Sequence, residues 1–344
     1  MPSDKNRVVI ACAGSRKTTS IVEEALAVKE GRVLLTTYTN ENVEQIVSCI
    51  IRLRGCVPEN ITVMSWYSFL LQEGVRPYQN HVTNRDRIGT INFVAKPSIF
   101  IPKKETDKYY LTKSGDIYSD RVSEFVCTAD ERSGGLVVKR LERIYGKVFI
   151  DELQDFAGYD LELFDRLFLS GISVVAVGDP RQGTFSTNKA SKNKKFKREG
   201  ILDWVLAKHK SKLIALEERT DCYRSNQLIC DFADALFPEL PKTTSKNSEA
   251  TAHDGIFQIG EDAVLGYVAT HNPIVLRHSK VTDTLGLPAS NIGTMKGRTF
   301  ERVLIFPTAP MKKYLKTQDR SKAGDLAKFY VAVTRARFSV AFVV

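Results

Sequence analysis

An α/β fold with two parallel sheets, the first carrying a small insertion, is what this sequence predicts, on three observations. Short apolar runs alternate with helical stretches in both halves of the chain, the rhythm of a parallel sheet covered on both faces. Candidate buried strands stop at polar or acidic residues, as they do along the ligand edge of such a sheet. The 344 residues, 43% hydrophobic and 26% charged, suffice for about two domains with their own cores.

In the first half, Arg7–Ala11 reads as a strand, 18–29 as a helix, Val33–Thr37 as a strand and 41–54 as a helix. Two further buried strands, 147–150 and 172–177, run up to acidic residues. From about 71 to 140 the pattern weakens around Pro97, Pro102, Lys103 and Lys104, which predicts an inserted subdomain of small strands and helices. The alternation then restarts: helix 226–236, strand 255–259, helix 262–270, strands 273–277 and 302–306, helix 323–334 and strand 339–344. The expected division is residues 1–215 and 216–344.

Composition excludes a disulfide-framed module, wholesale disorder and a fibrous repeat. The six cysteines (12, 49, 56, 127, 222 and 230) form no C-x-x-C pair and have no histidine at zinc-ligand spacing, so neither a metal centre nor a disulfide framework is indicated. A reducing cytoplasm fits that usage. No cleavable leader is apparent and no apolar run reaches the ~18 to 20 residues that cross a bilayer, so no membrane association is expected. The formal charge of +10 favours a polyanionic partner such as nucleic acid, provided the surplus gathers on one face. Residues 189–198 hold six positive charges and read as a solvated loop or a phosphate-contacting one.

Three strand ends carry the chemistry. The first strand runs into Ala11-Cys12-Ala13-Gly14-Ser15-Arg16-Lys17-Thr18-Thr19 and then a helix. In that layout backbone N–H groups and the helix dipole face an anion, Lys17 reaches terminal phosphates and Thr18 holds Mg²⁺. Its Lys-Thr end fits G-x-x-x-x-G-K-[ST], whereas Ala11 and Arg16 stand where the glycines belong. The strand ending at Ile150 leads into Asp151-Glu152-Leu153-Gln154-Asp155, where Asp151 can hold Mg²⁺ and Glu152 can deprotonate an attacking water. A helix N-terminus stabilised by its dipole is the alternative there. The strand ending at Val177 leads into Gly178-Asp179-Pro180-Arg181-Gln182, adding a glutamine at the same edge. Together these indicate a nucleoside triphosphatase.

The chain resembles the UvrD/Rep-type superfamily 1 helicases in motif order over nearly its whole length. Beside the segments already named stand Thr37-Tyr38-Thr39-Asn40, Cys222-Tyr223-Arg224-Ser225, Thr294-Met295-Lys296-Gly297-Arg298-Thr299-Phe300 and Tyr330-Val331-Ala332-Val333-Thr334-Arg335-Ala336-Arg337. The resemblance implies two RecA-like domains of the P-loop NTPase class, with ATP in the cleft between them and single-stranded DNA across their tops. It assigns ATP and Mg²⁺ to Ala13, Gly14, Ser15, Arg16, Lys17, Thr18 and Thr19, with Asp151 on the metal and Tyr223 stacked on adenine. Glu152 becomes the catalytic base, Gln182 the γ-phosphate sensor, and Arg224 and Arg335 the arginine fingers. Tyr38, Thr39, Asn40, Trp66, Phe185, Thr294 and Lys296 would contact DNA, the aromatic ones by stacking on bases; for Trp66 and Tyr67 core packing is the competing reading.

Several positions depart from the family. Cys12 and Arg16 change the phosphate loop, Thr187 replaces a usual tryptophan and Thr299 a usual glutamate. Only ten residues precede Ala11, so the glutamine-bearing segment that reads adenine is expected to be missing. About 70 residues separate Arg224 from Thr294, too few for the large insertion of UvrD-like helicases. The expectation is a minimal ATP-dependent motor on single-stranded DNA, 3′ to 5′, working with a protein partner such as a nuclease. The rival is a nucleotide-gated DNA-binding or regulatory ATPase subunit without processive unwinding.

Overall fold

A computed structural model describes residues 5–184 and 192–344. Among them two compact units form. One holds the chain up to Ile10, Lys17–Pro180 and the stretch ending at Glu217; the other holds Ala11–Arg16, Arg181–Thr184 and Glu218–Val344.

The first unit begins β1 (Arg7–Ala11), α1 (Lys17–Ala27), β2 (Val33–Thr37), α2 (Asn40–Arg54), β3 (Ile61–Ser65) and the short α3 (Trp66–Phe69). The inserted region supplies β4 (Ile91–Asn92), α4 (Thr106–Tyr110), β5 (Ile117–Tyr118), α5 (Val122–Arg132) and α6 (Leu136–Ile144). Then come β6 (Lys147–Ile150), α7 (Tyr159–Leu169), β7 (Ser173–Gly178), α8 (Ile201–Lys210) and β8 (Ala215–Arg219). The sheet order is β3-β2-β6-β7-β1-β8, with β1, β2, β3, β6 and β7 paired in parallel. Every residue of β2 is buried, the apolar Val33–Leu35 and the polar Thr36 and Thr37 alike, as expected of a strand covered on both faces.

The inserted region differs from expectation in one respect. Its strands are two residues each, and α5 is buried over most of its length. Tyr110, Phe125 and Leu141 share one core cluster with Val148, Ile150 and Val174 of the sheet. The segment therefore adds to the first core instead of enclosing its own.

The second unit contains β9 (Asp221–Cys222), α9 (Gln227–Ala235), β10 (Thr244–Ser245), β11 (Gly255–Ile259), α10 (Val264–His271), β12 (Ile274–Arg277), β13 (Ser290–Asn291), β14 (Phe300–Phe306), α11 (Ala309–Thr317), α12 (Leu326–Val333) and β15 (Ala336–Val343). Its five-stranded sheet runs β11-β15-β14-β12-β13, parallel at each pairing. Helix α11 was not expected. It starts where the Thr308 hydroxyl accepts from the Met311 N–H at 3.4 Å and Pro310 occupies the first turn, both ordinary N-terminal signals. Helix α12 starts at Leu326 and not 323, because the Asp325 carboxylate caps it by accepting from the Lys328 N–H at 3.0 Å.

Candidate nucleotide and nucleic-acid site

In the first unit the strands β6, β7 and β1 are neighbours, so the segments that follow them emerge along one sheet edge. Thr18 Oγ1 donates to Asp151 Oδ2 at 2.6 Å, and Lys17 Nζ lies 3.7 Å from Glu152 Oε1. Both acids are buried, Asp151 at 2% and Glu152 at 6% exposure. Burial, reinforced by the neighbouring Glu152 charge, pushes the Asp151 carboxyl up to about 6, against the pull of Lys17 and the Thr18 hydroxyl. Two buried carboxylates beside one ammonium leave negative charge that a cation would compensate. One hydroxyl and one carboxylate are also the small donor set Mg²⁺ uses when phosphates and water complete its shell, so these residues fit Mg²⁺.

Sequence reasoning gave no role to Gln154, which the structure makes central. Its Nε2 amide donates to Glu152 Oε2, while its Oε1 accepts from the Asp179 N–H at 3.0 Å. The amide thus ties the acid after β6 to the turn after β7. Gly178 makes room for this: a Cβ there would sit 2.7 Å from Gln154 Oε1 and 3.0 Å from Leu153 Cβ. The signal was present as the Gln in Asp-Glu-Leu-Gln-Asp, but no spacing rule says which way an amide faces.

The second unit gathers the rest of the phosphate loop with Tyr223, Arg224, Gln182 and Arg335. Gly14, at φ +77°, is pressed against the segment Cys222–Arg224 at the end of β9; a Cβ would come within 2.8 Å of Cys222 Sγ and 2.7 Å of Arg224 Cβ. The Gly14 carbonyl accepts from the Tyr223 N–H at 2.9 Å, and the Ala13 N–H donates to the Tyr330 hydroxyl at 3.2 Å. Arg16, standing where a glycine was expected, takes the left-handed backbone (φ 61°) a glycine would supply. Its guanidinium lies over the Tyr223 ring, 4.3 Å from the centroid. Ser15 Oγ is buried without a hydrogen-bond partner, an orphaned polar atom in a loop suited to an anion. Thr19 is half-buried in the first turn of α1.

Arg335 is 1% exposed. Its Nη2 donates to Gln182 Oε1 at 3.2 Å and its Nε to the Val331 carbonyl at 3.1 Å. Arg224 Nη1 donates to the Thr334 carbonyl at 2.9 Å. A further cation that sequence reasoning left aside, Arg181, is buried and pairs with Asp234 at 3.4 Å.

Of the nucleic-acid candidates, Tyr38, Thr39 and Asn40 do come together, at the end of β2 and the start of α2. They line a pocket of about 380 Å³ together with Tyr67 and Phe93. Tyr38 and Tyr67 have ring centroids 5.6 Å apart, and burial raises the pKa of both phenols, keeping them neutral donors. Trp66 does not join them. Its side chain is fully buried, its indole N–H donates to Asp160 at 2.7 Å, and Phe156 and Phe164 pack edge-on against it. Trp66 is thus a core residue, because β3 turns its next residue inward at the start of α3, and it cannot stack on a base. Tyr67 and Phe93 are the aromatic side chains that line the pocket with Tyr38. In the second unit Thr294 is exposed with its hydroxyl donating to the Asn291 carbonyl at 2.8 Å, and Lys296 is half-buried on the same turn. Phe185, Thr187 and the first part of the basic run 189–198 lie outside the described residues.

No helix among the described residues is long and apolar enough to cross a membrane. No curated protein sequence matches the chain. Solved structures of arterivirus nonstructural protein 10, a helicase, resemble it in fold. The complex with DNA is 17% identical with a TM-score of 0.50, covering 98% of this chain and 60% of that one. A second structure of the same helicase gives 17%, 0.50, 98% and 59%. This chain therefore spans about 60% of the length of the helicase it resembles. The model of the viral superfamily 1 RNA helicase core domain matches residues 136–344. That match takes in Asp151, Glu152, Gln154, Gln182, Arg224 and Arg335 over more than half of the sequence, and the chain belongs to the family of viral superfamily 1 RNA helicase core domains.

Proposed function

We propose that this protein is a nucleic-acid-stimulated ATP hydrolase that moves along a single strand, a helicase motor. The observation that carries the reading is the cluster of Lys17 and Thr18, which follow β1, with the buried Asp151 and Glu152, which follow β6, Glu152 being oriented by Gln154. In this reading Lys17 donates to the terminal phosphate oxygens, and Thr18 with Asp151 holds Mg²⁺. When bound, that ion neutralises charge on the β- and γ-phosphoryl oxygens. Glu152 accepts the proton of the attacking water, and the Gln154 amide keeps one carboxylate oxygen in place while the other faces the water. Ser15 Oγ and the backbone N–H groups of the phosphate loop supply further donors to the anion.

Arg224 and Arg335 neutralise γ-phosphoryl charge in the transition state, Gln182 transmits the γ-phosphate state to Arg335, and Tyr223 stacks on the base with Arg16 as its partner. On the strand side, Tyr38, Thr39 and Asn40 hold nucleic acid together with Thr294 and Lys296. The UvrD/Rep-type assignment adds three finer points: DNA as the track, 3′ to 5′ movement, and a protein partner such as a nuclease. The family match itself is to RNA helicase cores, so RNA is the competing track.

The test is ATP turnover by the chain with single-stranded DNA, single-stranded RNA or neither. Stimulation of at least about tenfold by one strand supports a motor; slow hydrolysis indifferent to both overturns it in favour of a regulatory subunit. Displacement of streptavidin from the 3′ or the 5′ end of that strand then reads direction, 5′-end displacement being the UvrD/Rep outcome.

A further inference from the structure

Between Asp86 and Glu105 the chain carries no acidic residue, whereas Arg87, Lys96, Lys103 and Lys104 are basic. Within this stretch four large apolar side chains face solvent: Phe93 at 63% exposure, Val94 at 90%, Ile99 at 84% and Phe100 at 88%. Single exposed apolar residues need no account, but four within eight residues form a patch that calls for a partner.

The loop is held at both ends. At its start the Asn92 carboxamide oxygen accepts from the N–H groups of Val94 at 3.0 Å and Ala95 at 2.7 Å. At its far end Lys103 pairs with Glu124 at 3.1 Å, and Arg121 reaches the same carboxylate at 2.9 Å. Burial pushes the Glu124 carboxyl up, but these two cations outweigh it and hold the group below the usual carboxylate range, so the anchor stays charged. Pro97 and Pro102 restrict the backbone in between. A segment tied at both feet with greasy, cation-flanked residues at its crest has the means to present a fixed apolar edge.

One end of that edge meets the aromatic pocket. The Phe93 ring stands edge-on to Tyr67, centroids 5.1 Å apart, and both line the cavity beside Tyr38, Thr39, Asn40 and Thr90. Aromatic faces with hydroxyl and carboxamide groups suit an unstacked base. A lipid surface would use the apolar crest and the lysines but would have no use for that pocket.

We propose that residues 93–102 form a strand-separating wedge: the Ile99–Phe100 crest stacks on the last base pair of a duplex, and the freed strand passes Phe93 into the aromatic pocket. Apolar side chains inserted at a base step unstack it in this manner. Lys96 and Lys104 face the flanking phosphates. The inference rests on the helicase reading above and locates strand separation inside this chain instead of in a partner.

The experiment compares the chain with an Ile99→Ser/Phe100→Ser double variant and with Phe100→Trp. For each, strand-stimulated ATP turnover, streptavidin displacement and unwinding of a tailed duplex are measured, together with 2-aminopurine fluorescence at the duplex terminus. The double variant should keep turnover and displacement within about twofold, lose about tenfold or more in unwinding, and lose the fluorescence change. Phe100→Trp should retain all four. Unwinding by the double variant at the parent rate overturns the wedge, as does loss of turnover in parallel with unwinding, or a parent chain that translocates without unwinding. Co-sedimentation of the parent chain with phosphatidylserine vesicles that the double variant abolishes, with unwinding unchanged, assigns the crest to a membrane instead. Parent turnover indifferent to any strand defeats the helicase reading itself, a result separable from all of these.

Discussion

Glu152 holds a left-handed backbone, φ 57°, which costs a residue with a side chain about 1–2 kcal/mol. Strain of that size persists where surrounding contacts over-determine it, and here Gln154 and Lys17 hold the carboxylate while the Asp151 carboxylate accepts from the Glu152 N–H at 2.9 Å. Glu152→Gln keeps the shape but removes the base; ATP turnover should fall by about 10² to 10⁴, while titration with a fluorescent ATP analogue shows binding retained. Gln154→Ala leaves the base unsupported. It should lower kcat by about tenfold with KM nearly unchanged, since misplacing a reacting group costs rate before affinity. Equal loss in both variants, or a change confined to KM, would remove Gln154 from its positioning role. Asp151, Glu152, Lys17 and Thr18 were legible in the sequence because each is fixed by its distance from a strand end. The Gln154 amide was not, since its importance lies in two hydrogen bonds to residues on different segments. Trp66 was read ambiguously for a related reason: an aromatic after a strand looks alike whether the chain turns it toward solvent or toward Phe156 and Phe164.

At the level of elements, the strands were readable where both faces are covered, as in β2 and β6, because each carries an unbroken apolar run, Val33–Leu35 and Val148–Ile150. Helix starts were less so. Helices α11 and α12 begin at Thr308 and Asp325 caps, and a cap residue is indistinguishable from a loop residue until its side chain is seen to accept. The inserted region escaped reading most, since its residues join the core of a sheet remote in sequence. The α3 turn offers a direct check. Trp66→Ala should destabilise the protein by about 3–5 kcal/mol in urea unfolding. Trp66→Phe, which keeps most of the packing but removes the indole donor to Asp160 and leaves the Ser123 hydroxyl in place, should cost about 1–3 kcal/mol and leave affinity for single strands unchanged. A selective loss of strand affinity in Trp66→Phe would return the ring to the nucleic-acid face. At the end of β2, the Thr39 hydroxyl caps α2 by accepting from the Asn42 N–H at 3.2 Å; Thr39→Ala should cost about 1 kcal/mol, read from the same unfolding curves.

Across the whole molecule, charge and chain path set the expectations. With a net charge of +10, affinity for a single strand should fall with salt at a log-log slope of about −0.7 per phosphate neutralised, and a response flat in salt would argue against a nucleic-acid track. The two parallel sheets were legible from the alternation in each half, yet the sequence division near residue 215 misses how the chain is shared out. Ala11–Arg16 and Arg181–Thr184 belong with Glu218–Val344, not with the segments that flank them. A gene fragment that starts at Glu218 does not encode the complete second body, because it lacks the loop that Gly14 seats against Cys222 and Arg224. Expressed alone, that piece should be protease-sensitive, and co-expression with the piece that ends at Glu217 should restore resistance. An insertion or fusion at that point therefore has to leave the phosphate loop, which lies upstream of it, free to seat against residues that lie downstream.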